Sequence, residues 1–150
     1  MVTSEIDFIF DMAGRFAMLG WVMLLLLPRK WPFVLPITGW VIPALISVPY
    51  SALILVSFLG ADGGFGSFAD VKALFQDDRV LLAGWLHYLA FDLVIGTLVA
   101  RQADAMKISR ILQTPLLIMC FMLGPFGFLI FALMKLFYHF FPAPKEAFAS

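Results

Sequence analysis

The chain has 150 residues, 63% of them hydrophobic and 13% charged, with a mean hydropathy of +0.99 and a formal net charge of zero. This composition excludes a soluble globular domain, and the neutral balance argues against a nucleic-acid partner, which requires a basic face. Cys120 is the single cysteine, so there is no disulfide framework and no metal cluster; no metal or other cofactor is expected, and Cys120 reads as a small buried apolar residue.

A hydrocarbon core about 30 Å thick is crossed by about 20 mostly apolar helical residues. Four stretches meet that length, at 5–27, 33–58, 80–100 and 112–138. The expectation is an all-α fold, one integral-membrane four-helix bundle occupying residues 1–150, with a short interfacial helix between spans two and three. The start, MVTSEID, is acidic and the first run outlasts a signal-peptide core, so no cleavable signal is expected. Span one carries Asp7, Asp11 and Arg15 at i, i+4 and i+8, on one stripe, and ends at Pro28 before Arg29-Lys30-Trp31.

Span two holds Pro36, Pro43 and Pro49, each of which removes a backbone donor and favours a kink. Thr38, Ser47 and Ser51 are placed to bond freed carbonyls. The connector 59–79 contains Gly60, Gly63, Gly64 and Gly66, but no Lys-Ser/Thr follows, so it is no phosphate loop. Within it, Phe68, Val71, Leu74 and Phe75 recur at helical spacing behind Ser67, an N-cap residue type.

Span three, VLLAGWLHYLAFDLVIGTLVA, carries His87 and Asp92 in its interior. A carboxylate at the centre of a membrane helix costs about 2.5–3.5 kcal/mol on insertion scales, so it usually faces protein or trapped water. The next connector holds Arg101, Asp104, Lys107 and Arg110. Span four is interrupted by Gly124-Pro125-Phe126-Gly127, and the tail PAPKEAFAS is expected to be disordered. Arg29, Lys30, Arg101, Lys107 and Arg110 on one side outnumber Lys72, Arg79, Lys135 and Lys145 on the other by one. The positive-inside rule then puts both termini in the periplasm of a bacterial inner membrane.

Counted from their outer ends, Asp11 lies about as deep as His87, and Arg15 about as deep as Asp92. The simplest cluster pairs Arg15 with Asp92 and Asp11 with His87; Asp11 pairing with Arg15 in its own helix is the alternative. His87 and Asp92 are about 140° apart around their helix. Two polar faces predict a central third helix that touches several neighbours. An Asp–Arg pair that only fixes helix register, and a histidine that only bonds a backbone carbonyl, are the structural readings of the same residues. His139 is too far from His87 in depth for the two to share a haem iron.

The string Trp85-Leu86-His87-Tyr88-Leu89-Ala90-Phe91-Asp92-Leu93, followed by Ala100-Arg101-Gln102, resembles the signature of the plant neoxanthin-synthesis membrane protein family, named for abscisic-acid deficiency. The segment from Gly124-Pro125-Phe126-Gly127 to Lys135 fits the same pattern, and together they cover about a third of the chain. The resemblance implies a four-helix membrane protein connected with xanthophylls. In plants the family is linked to converting violaxanthin into neoxanthin, which opens an epoxide and creates an allene.

The expected function is therefore isomerisation of a membrane-dissolved carotenoid or other isoprenoid, with aromatic walls supplied by 17 Phe and 4 Trp. His87 and Asp92 are the catalytic candidates, as acid and base. Trp85, Arg101, Asp11 and Arg15 are the substrate-binding or structural candidates. Expected partners are membrane lipid, a carotenoid or isoprenoid ligand, and a homo-oligomer or larger membrane complex. A non-catalytic pigment-binding or scaffold subunit is the competing reading.

Overall fold

The computed structural model describes residues 2–57 and 60–140; Lys145 and the tail at 142–150 lie outside the described residues. All regular elements among the described residues are helices. The first, α1 (Val2–Leu26), stops before Pro28, and a turn leads into α2 (Val34–Pro36). A π-helical segment, Ile37–Val41, joins α2 to α3 (Ile42–Ser57), so Val34–Ser57 is one continuous helix. The widened turn lies between Pro36 and Pro43, where ring nitrogens cannot donate to the helical ladder. Thr38 donates to the Val34 carbonyl (3.0 Å), Ser47 to that of Pro43 (2.8 Å) and Ser51 to that of Ser47 (2.8 Å), each four residues back and none at the carbonyls that Pro36, Pro43 and Pro49 free.

The glycine-rich connector closes into α4 (Phe68–Leu74). Ser67 caps it by accepting from the Asp70 N–H at 3.1 Å. Leu74 is buried, Phe68 is exposed, and the Phe75 ring packs against Gly84. Asp77 then caps the longest helix, α5 (Asp78–Ala105), accepting from the N–H groups of Arg79 and Val80.

Helix α5 is the centre of the fold. Half of its most apolar window is buried inside the protein, against 28% for α1 and 17% for Val34–Ser57. Those three helices are long and apolar enough to cross a membrane. Helix α1 lies parallel to α5 in a constant register: Phe10 stacks on Trp85, the Trp21 ring covers Gly96, and Arg29 meets Asp104. Helix α3 runs antiparallel, with Thr97 donating to Thr38 at 3.0 Å near one end and Tyr50 beside His87 near the other.

The fourth apolar stretch corrects the four-span expectation. Residues 112–138 do not form one helix but parts of two, α6 (Arg110–Leu123) and α7 (Pro125–Phe140), which fold back on each other at Gly124. Helix α6 starts beside the C-terminal end of α5, where Gln113 donates to Asp104 at 2.9 Å, and rises until Gly124 meets Asp92. Helix α7 then descends along the same helix, and Lys135 donates to Gln102 at 2.6 Å. At 1.5 Å per residue the two arms are about 21 and 24 Å long, too short to cross a bilayer singly.

The break has a local cause. Gly124 takes φ +42°, ending α6, and Pro125 supplies a first helical residue whose missing N–H has no intrahelical role. Gly127 lets the arms close, since a Cβ there would collide with the Cys120 backbone. Both ends of the hairpin therefore sit at the C-terminal end of α5, and the end of α7 lies opposite the start of α1.

Reporter domains fused ahead of Val2 and after Phe140 should locate to opposite sides of the membrane; co-location would restore a fourth crossing. Gly127→Val should lower thermal stability by about 2 kcal/mol, measured by unfolding in detergent, because the arms cannot separate without losing the α5 contacts.

Candidate functional site

The hairpin tip and the middle of α5 build one polar cluster. Asp92 is half-buried, and its carboxylate packs against Gly124, so that a Cβ at this glycine would meet both oxygens. Its Oδ2 is fully buried and has no hydrogen-bond partner, an arrangement proteins rarely leave without a use. The Tyr88 hydroxyl, one turn earlier on α5, lies within electrostatic reach of the carboxylate, and so does Cys120 on α6. Tyr88 also makes long hydrogen bonds to the last carbonyls of α6, 3.3 Å to Met122 and 3.5 Å to Phe121. The positive end of the α7 dipole starts beside Asp92 and partly offsets its charge.

Above the tip, the hairpin no longer covers α5. Phe10 and Trp85 stack at 5.7 Å and Trp85 and Tyr88 at 5.4 Å, which makes a partly exposed aromatic wall leading down to Asp92. Trp21 and Phe121 close the far side of the tip, with ring centroids 5.4 Å apart.

The other expected site residues fall elsewhere. His87 is exposed and turned toward α3, with its ring 4.5 Å from that of Phe91 and 5.9 Å from that of Tyr50. It therefore occupies a different face of α5 from Asp92, and the two do not converge. Asp11 and Arg15 are exposed on α1; among the described residues the ion pair within 4 Å is Arg29–Asp104. The expected contacts of Arg15 with Asp92 and of Asp11 with His87 are thus absent, because their stripe points away from α5. Arg101 is exposed at the far end of α5 beside α2 and the π-helical segment, away from the carboxylate.

Tyr88 and Gly124 are the members that sequence reasoning did not select. A tyrosine four residues before a buried acid is a legible signal, since i and i+4 share a helix face. The glycine's role depends on a fold-back that hydropathy does not reveal.

Three helices of membrane-crossing length and a helical hairpin ending at half their height define an α-helical membrane-protein class with its polar cluster held at mid-depth. The chain belongs to the ABA DEFICIENT 4-like (ABA4-like) family, whose model matches residues 8–131, from α1 well into α7. No curated protein and no solved structure matches it. The family and the apolar helices together fit a membrane protein related to neoxanthin synthesis.

Gly124→Ala should lower thermal stability by about 2 kcal/mol, through its positive φ and its contact with the carboxylate. Adding Asp92→Ala should restore part of that loss in a double-mutant cycle, and strictly additive effects would deny the contact. Arg15→Gln should leave the melting temperature unchanged; a large loss would mean that its guanidinium is paired.

Proposed function

We propose that this protein isomerises a membrane-dissolved carotenoid or related isoprenoid, with the Asp92 carboxyl carrying the proton. The observation that supports this most is the buried, unpartnered Asp92 oxygen at the hairpin tip, below an aromatic wall open to the side. Such a group is costly to bury, and its polar neighbour is the neutral Tyr88 hydroxyl rather than a cation. Conversion of an epoxide to an allenic alcohol is proton-neutral: one proton leaves a polyene carbon and one joins the oxirane oxygen. A single carboxyl meets both needs in turn, giving a proton to oxygen as the C–O bond breaks and taking one from carbon as the cumulated double bond forms. Tyr88 is placed to steady that carboxyl or to relay the proton. Phe10 and Trp85 offer flat surfaces to a conjugated chain.

His87 is assigned to the α3 face as a positioning or packing residue, since no substrate group beside Asp92 also lies beside its imidazole. A pigment-binding subunit without chemistry is the competing reading, and the stacked aromatics favour it equally.

The orientation we propose places the C-terminal ends of α1, α5 and α7 in the cytoplasm. Arg29, Lys30, Arg101, Lys107, Arg110 and Lys135 then face Lys72 and Arg79 among the described residues, a far wider margin than a four-span topology allows. The start of α1 lies on the periplasmic side of a bacterial inner membrane in this orientation.

Expressed in a carotenoid-producing bacterium that accumulates epoxidised xanthophylls, the protein should change the pigment profile without changing pigment mass. Asp92→Asn should abolish that conversion, Tyr88→Phe should slow it about tenfold or more, and His87→Ala should retain it. An unchanged profile with pigment still co-purifying would select the binding reading. Activity surviving in Asp92→Asn would remove this carboxyl from the chemistry.

A further inference from the structure

The C-terminal ends of α1 and α5 enclose a second polar feature, on the α3 side and remote from the hairpin tip. It is a cleft of about 510 Å³ in which four cations, Arg29, Lys30, Arg101 and Arg110, face one carboxylate, Asp104. Two of these cations already bond within the protein, Arg29 through Nη1 alone. Arg110 caps α1, donating to the carbonyls of Leu27 (2.8 Å), Leu25 (3.0 Å) and Leu24 (3.3 Å). Arg29 donates to Asp104 (2.9 Å) and to the Ala100 carbonyl (3.0 Å), and Asp104 also accepts from Gln113. The carboxylate is thereby shared and the positive charge remains in excess.

Arg29 is buried to an unusual degree, with 5% of its side chain exposed, and its Nε has no partner. Burial, joined by the neighbouring Arg110 guanidinium, pulls its pKa below the ordinary arginine value against the pull of Asp104. At the rim, the Lys30 and Arg101 side chains are exposed and form no ion pair or hydrogen bond among the described residues.

The cleft continues into an apolar groove of about 300 Å³ between α5 and the α2–π-helical stretch, the two sharing Leu35 and Arg101. Gly39 and Thr97 make its floor, and Trp40, Val94 and Leu98 its walls. A Cβ on Gly39 would stand 3.0 Å from the Thr97 methyl, so glycine allows the close approach of the two helices at the groove.

A cationic cleft at one end of an apolar groove has the polarity of an amphiphile. We infer that Arg29, Lys30 and Arg101 bind the phosphate-bearing head of an amphiphile whose apolar tail lies along the Gly39–Leu98 groove. Guanidinium groups match phosphate oxygens in bidentate geometry, and a third cation suits a head with negative charge not neutralised by a cation of its own. The head belongs either to an anionic phospholipid or to an isoprenoid diphosphate, which share this chemistry. The assignment is independent of the proposal for Asp92, because it uses another face of α5.

Native mass spectrometry of the purified protein in a neutral detergent tests it, with phosphatidylglycerol, chain-matched phosphatidylcholine, farnesyl diphosphate and inorganic diphosphate as probes. Phosphatidylglycerol or farnesyl diphosphate should bind at least tenfold more tightly than phosphatidylcholine, and the tighter of the two identifies the source. Lys30→Gln with Arg101→Gln should weaken that binding about tenfold or more, both side chains being exposed enough to leave the fold intact. Gly39→Phe should weaken the tailed ligands only; Leu98→Trp, on the groove wall, serves the same purpose should the first variant misfold. Equal retention of phosphatidylcholine, or no loss in the double variant, overturns the head site. Inorganic diphosphate binding as tightly as the tailed ligands, with neither groove variant having an effect, overturns the amphiphile.

Discussion

The approach of Gly124 to Asp92 is the constraint on which the rest of the molecule depends. A hairpin that stops at half the height of α5 leaves helix ends, with their unpaired carbonyls and N–H groups, at a depth where water is scarce. Those groups need protein partners: Tyr88 of α5 reaches the last carbonyls of α6, and the Asp92 carboxylate packs against Gly124 with its Oδ2 left unpartnered. The chain must therefore keep α5 polar on this side and glycine at the tip. The centrality of α5 follows, since its remaining faces still have α1 and α3 to pack against.

Much of this arrangement was legible in the sequence, and the exceptions have physical causes. Depth was readable, because α1 and α5 are parallel helices of similar rise, and the pairs Phe10–Trp85 and Arg29–Asp104 keep one spacing. Direction around the helix was not. Avoiding lipid suggested that Arg15 turn inward, yet the small residues Ala13, Ala17 and Gly20 claim the packing face and leave Arg15 exposed. Close helix packing outweighed the cost of one long, flexible charged side chain that can bend toward an interface. The N-caps Ser67 and Asp77 show the opposite case, in which local hydrogen bonding decides and tertiary packing interferes little.

The hairpin escaped hydropathy because two apolar arms in succession have the same average as one apolar span. Its only local signal is the Gly-Pro step, which also occurs as a kink in continuous membrane helices. What separates the outcomes is long-range, namely whether Lys135 finds Gln102 or continues away from it. The same fold-back decides the candidate site. With one crossing helix in place of the hairpin, Asp92 would be covered along its whole length and the aromatic wall above it would be closed.

The shortness of the two arms has a consequence for how the protein is made. Helices α1, Val34–Ser57 and α5 can each leave the insertion machinery on their own hydropathy, in the order of synthesis. Neither arm of 14 or 16 residues can do so, and the pair must enter as one unit against an α5 that has already settled. Arg110 fastens the base of that unit to the end of α1, so α1 and α5 together hold the hairpin. The hairpin therefore depends on docking against α5 where the three longer helices depend on their own hydropathy.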